Sequence, residues 1–305
     1  MLNVQQFIGW FDFNKEKSVL YKTISLVMKK IVVKFYQPFN YTSLIIQKSA
    51  ISERFVTVSF DCDLIEDIKS YKWLVAMLKE YNLKASFACI GSYVEKFPDE
   101  HYLLVEMGHE IVNHTYSHPH HEFLNPSKRF NKLSNDELRT EIEKAHIVIE
   151  KTLGISPIGF RSPHFGGLHT SRVYPILEEL GYKYSSSTIA SRVPSLGRPF
   201  YINKILEIPL TASPKYPFTC LETWGLCRAP VRYYKNEEEF IRLFKQLLIW
   251  ADEFSAPLNF YFDPIDLKNS PKLAHHIFGL IASLKEERDV MIGTYKEVVE
   301  WIEKK

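Results

Sequence analysis

Phe55-Val56-Thr57-Val58-Ser59-Phe60-Asp61-Cys62-Asp63 decides how the rest of the chain is read. Apolar and β-branched residues dominate its first part, the composition of a buried strand. Two carboxylates then stand at its C-terminal end. In α/β folds, functional groups gather at that end of the strands, where loops open to solvent. Asp61 and Asp63, two apart on extended backbone, point to the same side. Two anions this close resist burial unless a cation joins them.

Ligands for such a cation lie downstream, in His109-Glu110-Ile111-Val112-Asn113-His114-Thr115-Tyr116-Ser117-His118-Pro119-His120-His121. This stretch holds five of the eleven histidines, and imidazole is the commonest protein ligand for a transition metal. His114 and His118 sit four apart, a spacing that suits one helical turn or one tight loop. One carboxylate and two imidazoles would hold a metal and leave the second carboxylate free as a base. Asp63 is the preferred ligand. Cys62 competes as a zinc ligand, but strand alternation turns it to the opposite face, into the core. His109, His120 and His121 read as loop or strand-edge residues with at most a rim role. A single loop histidine is usually solvated, and an aspartate ending a strand is often a cap, so the argument rests on the combination.

The composition is that of an ordinary globular chain: 305 residues, 46% hydrophobic and 24% charged. That is enough apolar content for a large core, and the length allows two domains or one α/β barrel. A net charge of +2 gives no electrostatic case for nucleic acid. The four cysteines, at 62, 89, 220 and 227, form no paired zinc motif. Cys62 and Cys89 read as core hydrophobes, whereas Cys220 and Cys227 could pair or stay free. No secretory signal stands at Met1–Asn14 and no apolar run reaches the length of a membrane span. A cytoplasmic protein is therefore expected.

From Phe55 onward strand and helix patterns alternate. Strands are expected at Phe55–Asp61, Ala85–Ile90, Glu110–His114, Ile158–Ser162, Lys183–Ser187, Ile205–Leu210, Leu258–Phe262 and Val290–Thr294. Helices are expected at Asp67–Glu80, Pro98–Met107, Asn135–Leu153, Ser171–Leu180, Glu237–Phe254, Pro271–Glu287 and Tyr295–Lys304. Ser134 with Glu137 offers a capping box, and Gly181 a helix stop. The repeat predicts an α/β fold with seven to eight parallel strands in a barrel. Residues 1–54 read as an N-terminal extension and residues 55–305 as the catalytic barrel. Within the extension Leu20, Ile24, Val27, Ile31 and Phe35 make a helical stripe flanked by lysines. Residues 18–36 could contact a membrane surface or pack on the domain. The long irregular stretches His118–Leu133 and Thr211–Lys235 follow candidate site strands, as functional loops often do.

Asp61-Cys62-Asp63, Asn113-His114-Thr115-Tyr116-Ser117-His118 and Arg161-Ser162-Pro163-His164-Phe165-Gly166 occur in that order, each at an expected strand end. Together they resemble the polysaccharide deacetylases, the NodB-homology or carbohydrate esterase family 4 group, over about residues 55–300. The resemblance implies a distorted (β/α) barrel that hydrolyses an N-acetyl or similar amide with a divalent metal, zinc above all. It implies Asp63, His114 and His118 as metal ligands and Asp61 as general base. Arg161 would pair with Asp61 and keep it ionised. The backbone N–H of His164 would help hold the oxyanion, and Ile208-Pro209 after Glu207 would lead into the leaving-group pocket. The chemistry is consistent: a zinc ion acidifies bound water from a pKa of about 15.7 to about 7, within reach of a carboxylate base.

Two features depart from the family pattern. Cys62 separates aspartates that are often adjacent, which points to an Asp-x-Asp subgroup. In Asn259-Phe260-Tyr261-Phe262-Asp263-Pro264, Asp263 occupies the place where the family usually carries a histidine that protonates the leaving amine. An aspartate with an ordinary pKa of about 3.9 is a poor acid at neutral pH. Asp263 serves only if burial or Asp61 raises its pKa; otherwise Asp61, His275 or His276 must donate. The expected partner is an N-acylated saccharide or a small amide, with Trp224, Tyr233 and Tyr234 as possible stacking residues. Two other classes fit parts of the pattern. Two histidines and a carboxylate also describe a non-haem iron oxygenase, in which Arg161 would have no role. A non-catalytic saccharide-binding relative would account for Asp263.

Overall fold

The computed structural model describes residues 54–304, apart from 194, 196, 217–218, 230–232, 254 and 288–289. The expected N-terminal extension, including the basic stretch 18–36, lies outside the described residues except for Arg54, which pairs with Asp252 at 2.9 Å. The first half of the chain runs β1 (Phe55–Cys62), α1 (Ile65–Ile68), α2 (Tyr71–Glu80), β2 (Ser86–Cys89), α3 (Gly91–Lys96), α4 (Pro98–Glu106), β3 (Glu110–Asn113) and α5 (Asn135–Leu153). The second half runs β4 (Gly159–Phe160), α6 (Val173–Glu179), β5 (Tyr184–Ser185), β6 (Phe200–Ile202), β7 (Ile205–Glu207), α7 (Thr223–Cys227), α8 (Glu237–Glu253), β8 (Leu258–Phe262), α9 (Pro264–Asn269), α10 (Pro271–Glu287), β9 (Met291–Gly293) and α11 (Tyr295–Glu303).

One sheet carries all of these strands, in the order β6-β7-β5-β4-β3-β2-β1-β8, with β9 also paired to β1. Every pairing is parallel except β6 with β7. The sheet curls into a half-barrel with helices packed on it, the expected α/β barrel. The antiparallel β6 was not anticipated. It is made by a tight turn at Asn203-Lys204, with Asn203 in the left-handed region at φ +55°, a conformation asparagine tolerates. A second departure lies in the expected helix 67–80, which begins earlier and breaks in two. The Asp67 carboxylate accepts the Leu64 N–H at 2.9 Å and caps the start of a short α1; Ser70 then starts α2. The Ser134–Glu137 capping box forms as expected, with bonds of 2.8 and 3.2 Å. Gly154 and Gly181, at φ +68° and +77°, end their helices.

Strand alternation explains how the interior is divided. On β1, Val56, Val58, Phe60 and Cys62 pack into the main apolar cluster under the helices. The alternate residues Phe55, Thr57, Ser59 and Asp61 face the barrel interior, and all of β1 is buried. The floor of that interior is apolar: Phe55, Ala88, Val112, Tyr184, Leu206 and Tyr295. Above it the inward residues turn polar. The two ends of the sheet are joined by Asn259 instead of a strand ladder. Its carbonyl accepts the Thr211 N–H at 2.8 Å, its N–H reaches Thr211 Oγ1 at 2.8 Å, and its side-chain amide donates to the Ile208 carbonyl at 3.0 Å.

Gly159 sits where the buried Tyr184 ring crosses the interior to reach Glu110 Oε1 at 2.8 Å. A Cβ there would lie 1.9 Å from Tyr184 Cζ. Gly159→Ala should therefore destabilise the fold by at least about 1–3 kcal/mol, the usual range for overpacking. Urea denaturation checks this, and an unchanged midpoint would contradict the packing described.

Candidate active site

The C-terminal ends of β1, β3 and β4 meet at the mouth of the half-barrel. The β3 backbone delivers His114, whose N–H bonds the Cys89 carbonyl of β2 at 3.1 Å. The loop beyond it is held by its own polar groups. Asn113 Oδ1 accepts the Thr115 N–H at 2.8 Å, and Thr115 Oγ1 accepts the His118 N–H at 3.1 Å. The Glu141 carboxylate accepts the N–H groups of Tyr116 and Ser117 at 3.1 and 2.8 Å. These bonds hold Thr115 and His118 in the left-handed region, at φ +66° and +49°, and the Asn125 carbonyl, accepting the His120 N–H at 2.8 Å, holds His120 there at φ +81°. Such backbone is costly for side chains other than glycine and clusters at functional sites.

Asp63, His114 and His118 come together. Asp63 Oδ1 lies 3.3 Å from the Nε2 atoms of both histidines, and the three donor atoms fall within 4.8 Å of one another. His114 Nδ1 lies 2.8 Å from the Arg161 carbonyl; that carbonyl can only accept, so Nδ1 carries the proton and Nε2 is left as a lone pair. Asp63 Oδ1, His114 Nε2 and both ring nitrogens of His118 are buried with no hydrogen-bond partner among the described residues. Buried polar atoms are rarely left unpartnered. Orphans that converge, with two imidazoles and a carboxylate as donors, fit a divalent cation such as zinc. Burial works against the Asp63 charge, but the two imidazoles hold its carboxyl well below the usual range.

Arg161 pairs with Asp61, Nη1 to Oδ1, at 2.5 Å, and its side chain is fully buried. Its Nε donates to the Ser186 carbonyl at 3.0 Å, and Nη2 donates to Ser59 Oγ at 3.0 Å and to the Tyr295 hydroxyl. His164 follows Pro163 with φ +47°. Its exposed ring lies against those of His118 and His120, with centroids 4.9 and 5.5 Å apart. Among the described residues its backbone N–H has no hydrogen-bond acceptor.

Asp263 lies at the mouth as well. The register Phe60↔Phe262 sets Asp263 beside Asp61, in the same strand phase. Burial pushes its carboxyl well above the ordinary range, and Arg228 pulls the other way; Arg228 Nη2 is 2.6 Å from Asp263 Oδ2. The alternative donors are not brought here. His275 bonds Tyr81 and His276 lines an outer groove with Glu237 and Trp250. Of the aromatic residues considered for stacking, Trp224 is exposed, whereas Tyr234 is buried and donates to the Cys220 carbonyl at 3.3 Å. Cys220 and Cys227 are both free thiols.

Three contributors had no sequence signal. Tyr295 and Asn259 belong to the Arg161 network from remote elements. Arg228 is an ordinary loop cation by sequence. His121, read as a rim residue, instead holds the ligand loop. Its Nε2 donates to the Asp63 carbonyl at 2.6 Å, and its Nδ1 accepts the N–H groups of Phe123 and Leu124, each at 3.1 Å.

Residues 48–185 match the sequence model of the polysaccharide deacetylases. This segment is similar in sequence to the polysaccharide deacetylase family. It contains Asp61, Asp63, His114, His118, Arg161 and His164, and it ends before Asp263. Over 98 residues the chain is 33% identical to a peptidoglycan-N-acetylglucosamine deacetylase of Bacillus cereus, covering 32% of each chain. Over 108 residues it is 33% identical to chitin deacetylase 1 of Cryptococcus neoformans, covering 35% of this chain and 21% of that one. The chain thus spans about a third or less of the length of these curated relatives. The crystal structure of a candidate polysaccharide deacetylase from Mycobacterium smegmatis superposes with a TM-score of 0.66 at 17% identity, over 85% of this chain and 93% of that one. It shares the fold.

Groups that orient metal ligands typically contribute 10–100-fold to metal affinity. His121→Ala should therefore weaken zinc binding by about that factor, measured by competition with a chromogenic chelator. Unchanged affinity would show that His121 does not hold Asp63 in place.

Proposed function

We propose that the chain is a metal-dependent deacetylase that removes an N-acetyl group from a saccharide. The observation that carries this reading is the set of orphaned donor atoms on Asp63, His114 and His118, beside an aspartate held by a buried arginine. The family match of residues 48–185 supports it. A divalent ion held by that triad would polarise the acyl carbonyl and acidify a water molecule.

The chain's own groups supply the rest. Asp61 takes the proton of the attacking water. Arg161 fixes the Asp61 carboxylate in one orientation and keeps its charge countered. The His164 N–H is available to the oxyanion that forms on the carbonyl oxygen as water adds to the acyl carbon, a role whose loss typically costs about 2.7–4 kcal/mol. Asp263 gives a proton to the leaving nitrogen, as its burial favours. The C–N bond breaks, and acetate and a free amine result. The oxygenase reading explains neither Arg161 nor its pairing with Asp61.

Acetate release from N-acetylglucosamine oligomers tests this. Activity should vanish with a chelator, return with Zn2+, and fall by at least about 100-fold in Asp61→Asn, the lower range for loss of a general base. His118→Ala should be inactive. Activity that persists in both variants would contradict the mechanism.

A further inference from the structure

Asp263 does not stand alone at the mouth of the half-barrel. Arg228, at the C-terminal cap of α7, faces two aspartates. Its Nε and Nη2 both lie 3.1 Å from Asp266 Oδ2, while Nη2 lies 2.6 Å from Asp263 Oδ2. The helix that carries Arg228 is tied to the same point. The Asp263 N–H donates to Thr223 Oγ1 at 3.0 Å, and the Glu222 carboxylate caps the Gly225 N–H at 2.8 Å. Asp263 and Asp266 are 6% and 3% exposed. Asp67 from α1, Asp63 just beyond β1 and Glu222 from the start of α7 add further carboxyl groups around them. One guanidinium cannot balance the buried carboxyl groups of Asp67, Glu222, Asp263 and Asp266, so the group retains protons. Burial accordingly raises Asp67 and Glu222 to about 7.

We propose that Arg228 is the positioning residue of the leaving-group acid. Nε on Asp266 fixes the guanidinium, and Nη2, shared between Asp266 and Asp263, holds Oδ2 of Asp263, so that Oδ1 is the oxygen that serves the leaving nitrogen. This rests on the deacetylase reading above. In the step concerned the C–N electron pair stays on nitrogen, and the Asp263 proton forms the new N–H bond. Asp263 becomes a carboxylate, and the guanidinium already beside it meets the new charge without rearrangement.

A pair of substrates tests the role. An N-acetylglucosamine oligomer needs a proton on its leaving nitrogen, whereas 4-nitrophenyl acetate expels a stable anion. Arg228→Met should lower kcat for the amide about 100-fold more than kcat for the ester, the scale of general acid catalysis, with KM little changed. Arg228→Lys keeps a cation without the planar fork and should shift the ratio less. Equal losses on the two substrates, or an unchanged ratio in both variants, would overturn the proposal and leave Arg228 a structural tie for α7. Asp61→Asn separates the two claims. It should abolish both activities, and amide activity that survives it would remove the underlying reading.

Discussion

Taking a guanidinium out of water costs several kcal/mol unless its charge is paired and its N–H groups find acceptors. Arg161, wholly buried inside the half-barrel, meets that demand with Asp61 and Ser59 from β1, Ser186 beyond β5 and Tyr295 from α11. Tyr295 in turn donates to Asn259 Oδ1 at 2.6 Å, and Asn259 joins the two ends of the sheet. One buried charge therefore connects the start of the barrel, its seam and its last helix. Removing either member of the Arg161–Asp61 pair would strand the other, a cost of about 3–5 kcal/mol for buried pairs. The same arginine also reaches the candidate metal site, because its carbonyl fixes the His114 ring.

The site is consequently built on rigid strand ends and not on loop side chains alone. The exception is the stretch from Thr115 to His121, whose left-handed residues are held by Asn113, Glu141, Asn125 and Thr115 itself. His121 adds a brace from this loop to the Asp63 backbone. Strained backbone beside orphaned donor atoms is the expected mark of a site organised for a ligand.

Much of this was legible in the sequence because it follows a short period. The Phe55–Asp63 pattern gives both the strand and the facing of its aspartates, and Cys62 does turn into the core. Ser134, Glu137 and Gly181 act through their own backbones, so local reading finds them. The β6 hairpin escaped because Phe200–Ile202 is too short to show a period. The early start of α1 escaped because it depends on one side-chain bond, from Asp67 to the Leu64 N–H. Arg228, Tyr295 and Asn259 lie far in sequence from the groups they serve, so only the fold brings them to the site. His121 differs from its neighbours only in which way its ring points, which no spacing reveals.

The family match ends at residue 185, so it covers the triad and Arg161 but leaves Asp263 and Arg228 to physical argument. The claim beneath all of these is that Asp63, His114 and His118 hold one divalent ion. Anomalous diffraction from a zinc-soaked crystal tests it most directly. The account predicts one ion bonded to Asp63 Oδ1 and to Nε2 of both histidines, with Asp61 unligated and still paired with Arg161. A zinc-saturated crystal whose ion lies elsewhere, or that leaves the three donors unligated, would contradict it.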